Sequence, residues 1–183
     1  MMRTLPLVLI ALAAGVAGFF LYNALAGRDA PSDDGLPSLP GTPQVAEFAP
    51  AFVLPDVSGA QRSSAEWDDT LRVVNFWATW CPPCIREIPL LVDIQEEYGA
   101  RGVQVLGIAI DEAEAVSAFA AQFDFNYPVL VGQEDAMELG HRFVRDFIGL
   151  PFTVFTDRSG RIVQFHMGEI HREQIEAILA ELL

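Results

Sequence analysis

Lysine is missing from the chain altogether: its 11 basic residues are all arginine. Against them stand 25 acidic residues, for a formal net charge of −14 over 183 residues. That shortage of cations excludes a nucleic-acid binder, whose phosphate partner requires a basic face. It also argues against an anionic lipid surface as the main docking partner. Cysteine is almost as scarce, with only Cys81 and Cys84. A miniprotein stapled by several disulfides is therefore excluded. A zinc site is poorly supplied too, because it wants four ligands and a second cysteine pair is absent. His166 and His171 are spaced like a zinc-finger pair but follow about eighty residues after Cys84, far beyond a finger's spacer. Apolar residues are not scarce: 51% of the chain is hydrophobic, which rules out global disorder and suffices for the core of one domain.

Three regions separate by composition. Residues 5–26 carry no charge. At about 1.5 Å per residue such a run crosses a hydrocarbon layer of roughly 30 Å. Arg3 precedes it, and Arg28, Asp29, Asp33 and Asp34 follow. This favours the N-terminus inside and the remainder outside. Ala24-Leu25-Ala26 also fits a signal-peptidase site. Residues 1–27 thus read as a retained anchor, with a cleaved signal as the alternative, and either one exports the rest. No cysteine near the end of the run offers a lipoprotein anchor. Residues 28–46, rich in Pro, Gly and Asp, read as an extended tether. Residues 47–183 read as the folded domain.

The domain alternates strands and helices. Strands are expected at 52–54, 71–77, 103–110 and 128–131. Helices are expected at 82–98, 112–123, 135–146 and 172–182. Residues 151–156 and 161–165 flank the turn Asp157-Arg158-Ser159-Gly160 and read as a hairpin. This order predicts an α/β sheet covered on both faces.

The chemistry lies in Trp80-Cys81-Pro82-Pro83-Cys84, between a buried strand and a helix. At a helix N-terminus the dipole and the orphan N–H groups favour a thiolate at Cys81. Cys84, one turn in, can reach back to close a disulfide or resolve a mixed one. Pro82 suits the first helical position, where an N–H has no partner anyway. Pro89 falls inside the helix and removes one of its hydrogen bonds. Glu87, three residues past Cys84, shares its side of the helix. That side is the apolar one, so Glu87 is either a half-buried proton carrier or a solvated carboxylate. No histidine separates the cysteines. A cation there would favour the thiolate, and without it the couple should be moderately reducing.

Residues 73–89, Val-Val-Asn-Phe-Trp-Ala-Thr-Trp-Cys-Pro-Pro-Cys-Ile-Arg-Glu-Ile-Pro, resemble the active-site strand and helix of exported thioredoxin-like reductases of the TlpA/ResA/CcmG type. Residues 49–56, Ala-Pro-Ala-Phe-Val-Leu-Pro-Asp, resemble the start of that family's domain. Gly149-Leu150-Pro151-Phe152-Thr153 resembles its cis-proline loop. Residues 112–147 resemble its insertion relative to plain thioredoxin.

The resemblance covers 47–183 and implies a thioredoxin-like α/β fold, a central mixed sheet flanked by helices, behind an N-terminal hydrophobic helix. It implies Cys81 and Cys84 as the redox pair, Glu87 as a functional acid, and a cis Pro151 that leaves the backbone of Leu150 free to pair with a bound peptide. From the sequence alone, a trans proline opening an edge strand is the expected reading, and only the resemblance implies cis. Trp80 is expected to shield Cys81, and Phe76 and Trp77 to lie in the core. Asn75 departs from plain thioredoxin, which carries a buried acid there, leaving Glu87 as the nearest base.

No cofactor or resident metal is implied. The implied partners are disulfide-bearing clients, such as apocytochrome c or a copper-site protein, and a membrane electron donor. The competing function is a Cu(I) carrier using Cys81, Cys84 and His166 or Met167, although copper-carrying relatives usually space their cysteines by three residues. A peroxidase is disfavoured because no separate peroxidatic cysteine exists.

Overall fold

The computed structural model describes residues 44–183. The apolar run 5–26 and most of the tether lie outside the described residues. In chain order the strands are β1 (Gln44–Val45), β2 (Val53–Pro55), β3 (Gln61–Ser63), β4 (Leu71–Trp77), β5 (Val103–Ile110), β6 (Val129–Gly132), β7 (Val144–Arg145), β8 (Phe152–Thr156) and β9 (Ile162–Met167). The α-helices are α1 (Pro82–Tyr98), α2 (Ala113–Ala120), α3 (Glu134–Phe143) and α4 (Arg172–Leu182).

β4 is buried at every position and forms the middle of a five-stranded sheet ordered β6-β5-β4-β8-β9. It pairs in parallel with β5 and antiparallel with β8. β6 extends the parallel side, and β9 extends the antiparallel side. The sheet is mixed, flanked by helices and thioredoxin-like. Its parallel half explains the continuous apolar runs in β4 and β5, since strands covered on both faces need no polar alternation.

Side-chain alternation along β4 divides the interior in two. Leu71, Val73 and Trp77 join Cys84, Ile88 and Leu91 of α1 and Ile175 and Leu179 of α4. Val74 and Phe76 join Leu139 and Phe143 of α3, with Phe152 and Val154 of β8. On this second face Phe76 stacks on Phe152 with ring centroids 4.3 Å apart and meets Phe143 edge-on at 5.5 Å. Phe76 and Trp77 are both core residues, as expected. Arg172 ties α4 to the polar face of α1 through Asp93 at 3.0 Å and Glu97 at 3.2 Å.

Several bounds shift from the sequence expectation. The first hairpin pairs β2 with β3, and polar β3 carries no hydrophobic signal that would have revealed it. The helix expected to reach residue 146 ends at Phe143. Val144 adopts extended angles there, and β7 pairs with β1. The helix expected over 112–123 ends at Ala120. Within the segment 112–147, the strand expected at 128–131 is found one residue later as β6 and forms one edge of the sheet. α1 continues through Pro89.

The Phe76 ring, enclosed by two aromatic neighbours, leaves a cavity when truncated. Phe76→Ala is expected to cost about 3–5 kcal/mol, read as a lower denaturant midpoint with an unchanged m-value.

Candidate functional site

β4 ends at Trp77, the chain turns through Ala78-Thr79-Trp80, and Cys81 takes the N-cap of α1 with extended angles of φ −102° and ψ 100°. The Ile85 N–H closes the first helical hydrogen bond onto the Cys81 carbonyl at 3.1 Å. Pro82 and Pro83 occupy the first two helical positions, where no intrahelical N–H is needed. Asp111, just past β5, fixes the turn from the neighbouring strand. Its Oδ2 accepts from the Thr79 amide at 2.9 Å and from the Thr79 hydroxyl at 2.6 Å. Cys81 and Cys84 are joined as a disulfide with Cα atoms 5.3 Å apart. Cys84 is fully buried, whereas Cys81 keeps 4% of its surface. The outer sulfur is therefore the one a client could approach first.

Trp80 is 66% exposed beside it. Its side chain helps line an open groove of about 330 Å³ with Ile110, Asp111, Glu112, Gln133, Glu134 and Met137. The Leu150–Pro151 bond, leading into β8, is cis. Leu150 is half-buried, and Ile148 two residues earlier is exposed.

Glu87 is 1% exposed, which settles its side of the helix: it is not a solvated carboxylate. The Asn75 amide donates to its Oε1 at 2.7 Å, and the Ile170 backbone N–H donates to its Oε2 at 3.0 Å. Asn75 also donates to the Thr153 hydroxyl at 3.1 Å. Burial raises the Glu87 pKa to about 7 by penalising the charged form. The Ile170 and Asn75 donors oppose that rise, and the nearby Glu169 charge adds to it. Tyr127, buried and facing the same carboxylate, has its own pKa raised by burial and by Glu87. A carboxyl poised near neutrality, one helical turn from Cys84, can take and return a proton at physiological pH.

The structure puts Cys81, Cys84 and Glu87 on the first two turns of α1, with Trp80 just before it, and packs Leu150 against the core cluster that holds both cysteines. Sequence reasoning had marked these residues and Pro151 as the expected site. It missed the Ile170 amide, Tyr127 and the Asp111–Thr79 tie. Asn75 was marked for the acid it replaces, not as a donor. Its side-chain face was readable, because Asn75 shares the parity of Val73 and Trp77. The Ile170 amide carries no residue-type signal. His166, one of the copper-ligand alternatives, directs Nε2 at the Glu169 carbonyl, 3.2 Å away. Met167, the other, packs against the core on the sheet face opposite the cysteines. Among the described residues, no group of three or more His, Cys, Asp or Glu is placed to hold a metal.

Residues 45–165 match the family model described as AhpC/TSA family. A thiol-disulfide oxidoreductase ResA of Bacillus cereus strain ZK is 31% identical over 142 residues, 76% of this chain and 79% of that protein. The ResA of Bacillus cereus strain ATCC 10987 is 27% identical over 178 residues, 96% of this chain and 93% of its own. Among solved structures, a thiol:disulfide interchange protein of the thioredoxin family from Chlorobium tepidum TLS superposes with a TM-score of 0.67 at 28% identity. It covers 76% of this chain and 97% of its own.

The buried acid gives a signed pH dependence. Its pKa is about 7 in the fold against 4.5 when unfolded, so between those values the folded chain holds a proton that the unfolded chain has released. The stability Glu87 contributes is thus fully present below about pH 4.5 and lost as pH rises through about 7. Denaturation of the oxidised protein across this window is expected to show a decline of up to about 3 kcal/mol that Glu87→Gln lacks. Parallel curves for the two proteins would contradict it.

Proposed function

Since the chain belongs to the AhpC/TSA family, and there to the ResA-type thiol-disulfide oxidoreductases, we propose that it is an exported, membrane-tethered reductase of protein disulfides. Residues 1–27 anchor it, 28–46 form the tether, and 47–183 work on the extracytoplasmic side. The alignment with ResA of Bacillus cereus strain ATCC 10987 supports this arrangement, because 178 aligned residues include most of the apolar run. Among the described residues no helix is long and apolar enough to cross a membrane, so anchorage rests on residues 5–26.

The observation that carries the mechanism is the buried Glu87 carboxyl one turn beyond Cys84, on the helix whose N-cap is Cys81. In the reduced enzyme, the Cys81 thiolate attacks a client disulfide. A Cys81–client sulfur bond forms, the client S–S bond breaks, and one client sulfur leaves as thiolate. Cys84 then gives its proton to Glu87 and attacks the Cys81 sulfur. The second client sulfur leaves, and the enzyme disulfide forms. Two electrons have passed to the client, and Glu87 returns its proton to a departing thiolate or to solvent. A membrane dithiol donor restores the cysteines by the same exchange in reverse, which an extracytoplasmic reductant needs in an oxidising compartment.

Trp80, the Leu150 backbone and Pro151 receive the client. The groove beside Trp80 is lined by apolar Ile110 and Met137 and by acidic Asp111, Glu112 and Glu134. It suits a client segment with an apolar and a cationic residue near its cysteines. Apocytochrome c haem-site cysteines and a copper-site protein of an oxidase are the client classes.

Four measurements test this. On alkylation of the reduced protein, Cys81 should label first, at a pH below that needed for Cys84. Cys84→Ala should accumulate a mixed disulfide with clients at Cys81, whereas Cys81→Ala should trap none. Glu87→Gln should keep the fold yet slow stopped-flow reduction of a model disulfide by about 10- to 100-fold near neutral pH and simplify the pH profile. Superimposable wild-type and Glu87→Gln profiles would leave Glu87 without a catalytic part. Recovery of a mature chain starting at Gly27 would replace the anchor by a cleaved signal.

A further inference from the structure

The residues between β9 and α4 sit beside the active site, and other parts of the fold fasten them at four points. The Gly168 N–H donates to the Pro151 carbonyl at 2.9 Å. The ring of His166 meets the Glu169 carbonyl at 3.2 Å. The Ile170 N–H donates to Glu87 Oε2 at 3.0 Å. The Arg86 guanidinium grips the Glu169 carboxylate, with Nε 3.0 Å and Nη2 2.5 Å from Oε2. Gly168 turns the chain into this path at φ +89°, a conformation open mainly to glycine.

Two neighbours on α1 thus hold two neighbours on the loop. Inside, Glu87 holds Ile170. Outside, Arg86 holds Glu169. We propose that the Arg86–Glu169 pair is an external latch that keeps the Ile170 amide on the Glu87 carboxylate, making both members positioning residues that set the pH at which Glu87 trades protons with the cysteine pair. This rests on the reading of Glu87 as the proton acceptor.

An exposed ion pair adds little to stability, so the latch matters through the atom it places. The Ile170 amide favours the charged carboxylate. Withdrawing it moves Glu87 toward the protonated form. Removing the Arg86 charge also leaves Glu169 uncompensated, and a second anion near Glu87 acts in the same direction. Both effects of Arg86→Gln therefore raise the midpoint. Glu169→Gln sets them against each other, so it is the less informative variant. The other groups around Glu87 are neutral Asn75, whose amide also reaches Thr153, Tyr127, which feels the Glu87 charge, and Cys84 on the same helix face. His166 and His171 flank Glu169. Arg86→Gln alters none of these side chains. The guanidinium fork cannot be reproduced by an ammonium group, so Arg86→Lys should recover the charge effect but only part of the placement.

The test is the pH profile of model-disulfide reduction by the reduced full-length protein. Wild type, Arg86→Gln, Glu87→Gln, the Arg86→Gln/Glu87→Gln double variant and the swap Arg86→Glu/Glu169→Arg are compared. Arg86→Gln is expected to move the midpoint upward by about half to one pH unit, about three- to tenfold in rate on the acid limb. The swap should return it toward wild type, and in the Glu87→Gln background Arg86→Gln should add no shift. An unmoved midpoint in Arg86→Gln, or an equal shift with Glu87 removed, overturns the latch. If Glu87→Gln itself keeps the wild-type profile, the proton-acceptor reading falls and the latch falls with it. If Glu87→Gln changes the profile and Arg86→Gln does not, the latch alone falls.

Discussion

A buried amide on the central strand organises this molecule. β4 is enclosed on both faces, so a polar side chain within it must find partners or destabilise the fold. Asn75 finds two acceptors, Glu87 of α1 and Thr153 of β8. Glu87 in turn takes the Ile170 amide ahead of α4. One connected set of hydrogen bonds therefore spans the central strand, the cysteine-bearing helix, the strand behind the cis-proline and the last loop. Its members fix one another. Removing Asn75 would leave a buried carboxylate short of a donor, and removing Glu87 would leave the Asn75 and Ile170 donors short of an acceptor.

That network explains why the site lies where it does. The turn after β4 brings Cys81 to the start of α1, and Asp111 after parallel β5 holds the turn from the side. β8, antiparallel on the other flank, starts beside the same rim with Pro151. Three neighbouring strands thus meet the cysteines at one end of the sheet. The helix N-terminus supplies a favourable potential for a sulfur anion. The sheet side supplies a dry place for the acid. A nearly buried outer sulfur and a fully buried acid are both obtained from the first two turns of one helix, residues 81–87.

Much of this was legible before the structure. The runs at β4 and β5 are long and apolar because both faces are covered, and such runs declare themselves. The cysteine pair, Pro82 and Glu87 follow from helix spacing, since i and i+3 share a face. What stayed hidden depends on tertiary contact. Nothing in Ile170 announces a backbone amide aimed at a carboxylate. Arg86 reads as a solvated charge opposite the apolar stripe, and only the return of the chain at Glu169 gives it a partner. β3 is polar and short, so its pairing is fixed by the turn at residues 56–60 and not by its own pattern. The exit of α3 at Phe143 was hidden because Val144 continues the apolar spacing while its backbone pairs with β1.

The charge bookkeeping of the reaction follows from the same burial. The proposed reducing cycle creates thiolates next to an acid in a poorly solvated pocket. Two anions so close in low dielectric repel, so ionisation of one opposes ionisation of the other. In the proposed cycle, Glu87 with its pKa near 7 accepts a proton as Cys84 turns nucleophile, and the pocket carries one negative charge in place of two. The proton changes place while net charge stays low. A surface carboxylate with an ordinary pKa would be too weak a base for a thiol. A fully isolated buried acid would hold its proton too tightly to give Cys84 anywhere to send its own. Asn75 and Ile170 lie between these limits: two donors moderate the rise that burial imposes, and they leave the acid able to work in both directions of the exchange.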